Sequence, residues 1–275
     1  MPSITTQAVV DHYSSLALDK TPKNSEHSQK VAESFGYAAS DLTEIPSGAN
    51  LGVSCGNPLA IASLKPGEVV LDLGSGAGFD VFQAARKVGP HGLAIGIDMS
   101  VAMLDRANKN AAKSFVTNVQ FILAPITDVP LQSQSVDCAI SNCVINLLPS
   151  PEKLLCFKEV HRLLKAGGRL AISDILAKKE FPEELKRDMG LYVGCISGAS
   201  LVSEYEGWLK GAGFQEQVLD DEQSATPSGI SGSKADDRAS CCSPAELVGP
   251  SEETSERVAD IDFNEWVSEL HPSDV

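Results

Sequence analysis

The sequence has few aromatic and few basic residues, and it has no apolar run long enough to cross a bilayer. Aromatic residues make up 5% of the 275 positions, and 22 Lys and Arg stand against 37 Asp and Glu, for a formal net charge of −15. Sequence-independent nucleic-acid binding needs basic side chains at the phosphates. The longest apolar runs have the length of strands, whereas a membrane helix needs roughly 20 apolar residues. We therefore expect no nucleic-acid partner and no membrane partner.

Two further absences indicate the chemical state of the cysteines. The chain shows no secretory leader, and its seven cysteines include no CxxC pair. The first absence predicts a reducing, cytoplasmic compartment in which thiols stay free. The second disfavours a rigid structural zinc site. No repeat or heptad pattern indicates self-association, so we expect a monomer.

The most informative part of the sequence is the stretch from Glu68 to Met99. An apolar run, Val69 to Leu73, stops on three spaced glycines, at positions 74, 76 and 78. A helical pattern follows, and a second apolar run, Leu93 to Ile97, ends on Asp98. This pattern predicts a strand, a glycine loop, a helix and a strand closed by an acid. In a parallel sheet the loop and the acid meet at one crevice, which predicts a nucleotide-type cofactor site.

The alternation of strand and helix patterns continues beyond this stretch. Further strands are predicted at 119–123, 135–141 and 169–175, and helices at 100–114 and 150–165, the last ended by Ala166-Gly167-Gly168. Short helices are predicted at 9–18, 31–37, after an Asn57 cap, at 182–193 and at 200–212, with a strand at 214–219. The order predicts an α/β fold with a doubly wound, mainly parallel sheet.

The sequence divides into three regions. We expect an N-terminal helical segment at 1–50, a Rossmann-like cofactor domain at 51–180 and a C-terminal substrate-binding region at 181–275. Between Asp220 and Asp262 eleven acidic residues stand against three basic ones. Such a polar tract buries too little apolar surface to offset its chain entropy, so we expect it to be largely disordered.

Sulfur, and not imidazole, marks the candidate reactive centre. Cys55 precedes a predicted helix start, where the helix dipole favours a thiolate, although an ordinary turn cysteine is as good an interpretation. Cys195 lies between glycines, and Cys241 and Cys242 lie in the acidic tract. Three thiolates from three loops would enclose a soft ion. The five histidines are predicted at polar or surface helical positions, namely His12, His27, His91, His161 and His271.

The other three cysteines have different predicted settings. Cys138 lies inside a predicted strand and Cys156 on the apolar side of a predicted helix, so both are predicted to be core residues. Cys143 follows a strand end, which favours function, while its apolar neighbours favour packing.

The segment DLGSGAG resembles the first motif of class I S-adenosylmethionine-dependent methyltransferases. The resemblance implies S-adenosylmethionine as cofactor, with Asp98 binding both ribose hydroxyls through its two acceptor oxygens. It implies that Ile126 and Thr127 border the adenine and that Asn142 and Cys143 line the methyl-donor end. The remaining implied cofactor residues are Asp72, Gly74, Ser75, Gly76 and Met99. The alternative is an NAD-binding Rossmann unit, in which Asp98 would hold the ribose equally well.

A more specific resemblance involves five segments in order. GANLGVSCGNP, DLGSGAGFD, GIDMS, SNCVINLLP and VGCISGAS look like the arsenite methyltransferases, over about residues 31 to 219. This resemblance implies that cysteine thiolates hold trivalent arsenic, whose lone pair attacks the cofactor methyl. Cys55 and Cys195 match the family's ligands, and Cys241 or Cys242 is expected as the third. The implied partners are arsenite or thiol-bound arsenite and an external thiol reductant of the glutathione or thioredoxin type.

The chain departs from that family pattern at both ends. The N-terminal segment KTPKNSEHSQ lacks the cysteine that many members carry there, and the chain ends NEWVSELHPSDV. Two alternatives therefore remain beside an arsenite methyltransferase. One is a non-catalytic metalloid-binding protein, and the other is a methyltransferase acting on another small molecule.

Overall fold

The computed structural model describes residues 3–19 and 25–214, and its centre is a sheet of five parallel strands. The strands are β1 Val69–Leu73, β2 Leu93–Asp98, β3 Val119–Leu123, β4 Val136–Asn142 and β5 Leu164–Ser173. Their order across the sheet is β3-β2-β1-β4-β5, so β1 and β4 are central neighbours. This confirms the predicted doubly wound α/β fold, in which the chain reverses its direction of travel beside β1.

Helices cover both faces of the sheet. They are α1 Ile4–Leu18, α2 Ser25–Ser34, α3 Ala39–Thr43, α4 Pro58–Ile61, α5 Phe79–Val88, α6 Val101–Lys113, α7 Ser150–Leu163, α8 Glu183–Lys186, α9 Met189–Val193 and α10 Val202–Ala212. A 3₁₀ turn, Ile145–Leu147, precedes α7, and two short strands, β6 Leu176–Ala177 and β7 Ser200–Leu201, pair in parallel.

The two faces carry separate apolar clusters. Phe82 and Val88 of α5 pack with Val70 and Ile140 on one face. On the other face the cluster contains Leu71, Leu73 and Ile97 of the strands together with Cys156, Val160 and Leu163 of α7. Successive residues of a strand point to opposite faces, so β1 contributes to both clusters. This layering places the carboxyl ends of the strands at one edge.

Local sequence signals located several elements accurately. The strand at 119–123 is confirmed at both ends. The side chain of Ser100 accepts a hydrogen bond from Met103 N and starts α6, and the side chain of Asn57 accepts one from Ala60 N and starts α4. These caps satisfy amide groups that have no partner within the helix.

The region before β5 differs from the prediction. Ala166-Gly167-Gly168 does not end a helix, because α7 stops at Leu163 and these residues belong to β5. Leu164 pairs with Val136, whereas Arg169 pairs with Cys138. The intervening residues of β5 therefore form an irregularity in the ladder, which includes Gly167 at φ +76°. The glycines mark a bulge rather than a helix end.

Three helix predictions were also inaccurate. The helix predicted at 31–37 is α2, which runs from Ser25 to Ser34. The predicted helix at 182–193 is two short helices, because Asp188 caps α9 by accepting from Leu191 N. Helix α1 begins at Ile4 rather than at position 9, because Ser3 accepts a hydrogen bond from Thr6 N. The predicted strand at 214–219 and the acidic tract lie almost wholly outside the described residues. Within the described part, no helix has the length and apolarity that crossing a bilayer requires.

Candidate functional site

The loop between β1 and α5 is built on left-handed glycines. Gly74, Gly76 and Gly78 have φ of +67°, +52° and +91°, which side chains with a Cβ rarely adopt. Ser75 N donates to Ile97 O at 2.9 Å, so the loop is fixed against the end of β2. A Cβ at Gly76 would meet only Met103 Sδ at 3.8 Å, which leaves its backbone accessible to a ligand.

Asp98 joins this loop to the end of β2. Its Oδ2 accepts from Gly76 N at 2.8 Å and its Oδ1 accepts from Ser100 N at 2.8 Å. Burial raises the pKa of Asp98, and the backbone donors of Ser100, Gly76 and Met99 oppose that rise. A carboxylate has about four acceptor positions, so Asp98 keeps capacity to accept a hydrogen bond from a ligand hydroxyl beside these donors.

One cavity at the carboxyl ends of the strands gathers nearly all of the predicted cofactor residues. Its walls include Asp72, Gly74, Ser75, Gly76, Asp98, Met99, Ile126, Asn142 and Cys143. Thr127 is not among the described residues that line it. Helix α1, which contains the predicted helix at 9–18, supplies a further wall through Thr6, Val9, Val10 and Tyr13.

Three carboxyl groups give this cavity an acidic interior. Burial raises the pKa of Asp72 well above its ordinary value, and the charges of Asp80 and Asp98 raise it further. Burial also raises the pKa of Asp80 to about 6, while hydrogen bonds from Tyr37 and Asn142 oppose that shift. Buried carboxylates of this kind stabilise a cationic ligand, which would restore their charged forms.

A three-thiol cluster adjoins the cavity. The sulfurs of Cys55, Cys143 and Cys195 all lie within 4.8 Å of one another. Cys143 and Cys195 are each 3% exposed and line the cavity as well, while Cys55 is partly exposed. The three thiols come from the loop before α4, the turn after β4 and the turn after α9. We call this set the thiol triad.

Two members of the triad have a left-handed backbone. Cys143 has φ +60° and Cys195 has φ +64°. The turns are held by hydrogen bonds from Cys143 N to Ser173 O at 2.9 Å and from Cys195 N to Tyr192 O at 3.0 Å. A residue other than glycine adopts this conformation at a cost, and such residues are concentrated at functional sites.

The thiols of the triad differ in the direction in which their pKa values are shifted. Hydrogen bonds from Cys143, Cys55 and Tyr13 lower the pKa of Cys195 well below its ordinary value, against the effect of burial. Burial raises the pKa of Cys143. In its thiol form Cys195 donates from Sγ to Cys143 O at 3.0 Å, and in its thiolate form it accepts from its neighbours. The pKa of Cys195 is therefore lowered, whereas that of its neighbour Cys143 is raised.

Helix α1 contributes two side chains that the sequence did not assign to the site. His12, predicted at a polar or surface helical position, is half-buried on α1, and its imidazole lowers the pKa of Cys195. Tyr13 donates from its hydroxyl to Val193 O at 3.0 Å, and burial followed by the thiol charges raises its pKa. Only long-range packing brings α1 here, so no local pattern could have indicated either residue.

A half-buried acid, Asp174, lies near the triad. Burial raises the pKa of Asp174 to about 8, and its Oδ2 accepts a hydrogen bond from the hydroxyl of Tyr205. The Oδ1 atom has no hydrogen-bond partner in the described part of the chain. Asp174 ends the predicted fifth strand, but its position gave no indication of a place near the thiols.

The remaining cysteines fall into two groups. Cys138 and Cys156 are fully buried in the core, as predicted, and burial raises their pKa values to about 11 and about 12. Cys241 and Cys242 lie outside the described residues, so their predicted role in the site stays a prediction. Cys143 brings a third thiol to Cys55 and Cys195 within the folded body.

Comparison with known proteins gives the family. A family profile described as a methyltransferase domain matches residues 64–213, which is more than half of the chain. The chain belongs to the methyltransferase domain family. The matched residues contain the glycine loop, Asp98, Cys143 and Cys195, while Cys55 lies before them.

Curated relatives of this methyltransferase-family chain carry a common name. An arsenite methyltransferase of Halobacterium salinarum is 47% identical over 184 residues, which are 67% of this chain and 46% of that protein. An arsenite methyltransferase of Aquipseudomonas alcaligenes is 36% identical over 176 residues, 62% of this chain and 50% of that protein. The chain thus spans about half the length of these relatives.

A solved structure has the same fold. An arsenic(III) S-adenosylmethionine methyltransferase from Chlamydomonas reinhardtii is 27% identical, with a TM-score of 0.53. The match covers 78% of this chain and 62% of that one. This agrees with the Rossmann-like methyltransferase fold inferred from the strand order.

Proposed function

We propose that this chain transfers a methyl group from S-adenosylmethionine to trivalent arsenic held by the thiol triad. The observation that carries the proposal is that Cys143 and Cys195 belong to the triad and also line the acidic cavity. Methyl donor and acceptor would then be bound side by side, which converts their encounter into a reaction within one complex. The names of the relatives support the same activity.

The cavity suits the proposed cofactor. S-adenosylmethionine carries a sulfonium and an ammonium, which the carboxylates of Asp72 and Asp80 would balance. Its ribose diol matches the free acceptor sites of Asp98, and the buried Ser75 Oγ, which has no hydrogen-bond partner in the described part, is available to it. When bound, this cofactor supplies an electrophilic methyl group. An NAD-binding unit is the weaker interpretation, because NAD adds a pyrophosphate that these acids would repel.

The triad suits the proposed substrate. Trivalent arsenic is thiophilic, and soft thiolate ligands select soft centres. Arsenous acid and three thiols give three arsenic–sulfur bonds and three molecules of water, with the arsenic lone pair retained. We propose Cys143, with Cys55 and Cys195, as the third ligand, in place of Cys241 or Cys242. Cys195, whose pKa is lowered, would attack first.

The proposed chemistry requires an external thiol. Methyl transfer to trivalent arsenic raises its formal oxidation state, so two electrons must return it to the trivalent state. We propose a thiol reductant of the glutathione or thioredoxin type, a reducing cytoplasmic setting and a monomeric enzyme without a nucleic-acid partner. No disulfide joins any two of the described cysteines, which is compatible with that setting.

The test is a turnover assay on the reduced full chain. Arsenite, glutathione and methyl-labelled cofactor are expected to give labelled methylarsenicals and S-adenosylhomocysteine. Binding of both ligands without product would favour the second candidate, a metalloid-binding protein, which the preformed triad also permits. Turnover of another acceptor that survives Cys195→Ser would favour a different small-molecule methyltransferase.

A further inference from the structure

The side-chain amide of Asn142 connects the cofactor cavity to the thiol triad. Its Oδ1 accepts from Cys55 N at 3.2 Å, and its Nδ2 donates to Gly56 O at 3.0 Å. The same Nδ2 lies 3.1 Å from Asp80 Oδ2 and 3.1 Å from the hydroxyl of Tyr37. Asn142 therefore binds the backbone of the Cys55 loop on one side and a cavity carboxylate on the other.

The loop that carries Cys55 depends on this anchor. Residues 51–57 contain no helix or strand, so no regular ladder fixes their backbone. Gly56 packs so closely on Ser173 that a Cβ there would meet Ser173 Cβ at 2.5 Å. Asn142 is also the residue before Cys143, so one residue positions two of the three sulfurs. A shift of its side chain would change the spacing of the triad.

Tyr37 completes the connection without touching either ligand site. Its hydroxyl donates to Asp80 Oδ1 at 2.7 Å and accepts from Asn142 Nδ2. Tyr37 is 4% exposed, and it belongs neither to the cavity wall nor to the triad. Asp80, Tyr37 and Asn142 thus form a closed ring of hydrogen bonds, which fixes the rotamer of the amide.

We infer that Asn142 is a positioning residue that couples occupancy of the cofactor cavity to the geometry of the thiol triad. The inference rests on the proposed function. A bound cofactor that pairs with the Asp80 carboxylate in the cavity wall fixes the acceptor to which the amide of Asn142 donates. The amide then holds the peptide groups of Cys55 and Gly56, which keeps the Cys55 sulfur beside the other two. Because coupling between sites is reciprocal, arsenite binding strengthens cofactor binding by the same factor.

The test measures the arsenite dissociation constant of the reduced full chain by calorimetry, with and without saturating S-adenosylhomocysteine. For the wild type we expect S-adenosylhomocysteine to tighten arsenite binding about tenfold, within the usual range of coupling between sites. Asn142→Ala is expected to bring this ratio to about one, and Tyr37→Phe to lower it about threefold. Asn146→Ala is the matched control, because Asn146 is a buried amide that donates to Ile175 O away from the ring.

The outcomes separate the inference from the function on which it rests. A wild type that binds no arsenite overturns the proposed function. A wild type that binds both ligands with a ratio of one, or an Asn142→Ala variant that keeps the ratio, overturns the coupling. Circular dichroism checks that each variant folds, and where Asn142→Ala does not fold, the ratio for Tyr37→Phe decides. If Asn146→Ala lowers the ratio as much as Asn142→Ala does, the loss comes from general loosening of the fold, and this result also contradicts the inference.

Discussion

At the scale of single residues, the left-handed backbone of Cys143 and Cys195 separates them from the other buried cysteines. Cys138 lies in a regular strand and Cys156 in a regular helix, with no positive φ. The conformational cost is therefore not a general property of buried cysteine in this fold. It arises where the turns direct two sulfurs toward a third, and strain of about 1 kcal/mol or more for each residue is typical of functional positions.

The membership of Cys143 in the triad can be tested by one substitution. Cys143→Ala is expected to weaken arsenite binding at least about 100-fold, because a three-thiolate site loses a ligand, a larger loss than the 10- to 100-fold typical of outer-shell changes. Cys156→Ala is the matched control, since it removes a buried thiol elsewhere and is expected to leave the affinity within about threefold. The measurement is calorimetric titration with arsenite under reducing conditions. Equal affinities for the two variants would remove Cys143 from the site.

Asp80 gives the fold a defined pH dependence. Its native pKa of about 6 lies above the ordinary value of 3.8, so the native state holds the proton more tightly than the unfolded chain. Its contribution to stability is therefore greatest at low pH and falls as pH rises from about 4 to about 6. The loss is up to about 3 kcal/mol, at 1.36 kcal/mol for each pKa unit.

Urea unfolding at several pH values tests this assignment. Asp80→Asn removes the titrating group, so the difference in unfolding free energy between variant and wild type is expected to shift in favour of the variant from pH 4.5 to pH 7. Asp80→Asn also removes one hydrogen-bond acceptor for Tyr37 or Asn142, and this destabilisation does not change with pH. It therefore cancels when the pH dependence of the unfolding free energy is compared between variant and wild type. A difference that is constant with pH would show that Asp80 keeps an ordinary pKa.

At the scale of elements, local patterns predicted the strands, the glycine loop and the caps of α4 and α6. Each depends on residues close in sequence, such as Ser100 with Met103 N or the glycines that follow β1. The same patterns could not predict the triad, because Cys55, Cys143 and Cys195 meet only after the sheet has formed. Nor could they predict which side chains of α1 line the cavity, since all of them are at least partly exposed.

The position of α1 depends on Arg106 of α6. Its Nε donates to Gly48 O at 3.0 Å and its Nη1 donates to Ala17 O near the end of α1 at 3.2 Å. Arg106→Ala is expected to weaken S-adenosylhomocysteine binding several-fold and to speed hydrogen exchange in α1 more than in α6. Weakly buried elements open locally before the whole fold does.

Arg86→Ala provides the comparison for that experiment. Arg86 makes its ion pairs with Asp41 and Glu44, at and beside α3, and makes none with α1. It is expected to leave both the exchange of α1 and the cofactor affinity near wild-type values. Unchanged exchange of α1 in Arg106→Ala would mean that other contacts, such as that between Ser14 and Ser100, hold the helix.

At the scale of the whole molecule, the candidate chemistry of the cavity and the triad lies within the described part of the chain. The acidic cavity, the triad and the Asn142 ring use residues between Tyr37 and Cys195 with the addition of α1. The formal charge of −15 is instead weighted toward the segment after Asp220, where eleven acidic residues stand against three basic ones by Asp262. Net charge therefore carries little information about the site, and the carboxyl groups of Asp72, Asp80 and Asp98 in the cavity wall carry more.

The positions of the three triad sulfurs predict what Cys241 and Cys242 contribute. Under the proposed function, three sulfurs that already lie within 4.8 Å of one another would hold arsenic without a ligand from the C-terminal segment. The double variant Cys241→Ser/Cys242→Ser is therefore expected to bind one arsenite with an affinity within about threefold of wild type, whereas Cys195→Ser loses at least about 100-fold. Calorimetric stoichiometry distinguishes the two sites, since an independent tail site would give the wild type more than one bound arsenic. A hundredfold loss in the double variant would restore the tail thiols as ligands and would reduce Cys143 to a residue that lines the cofactor cavity.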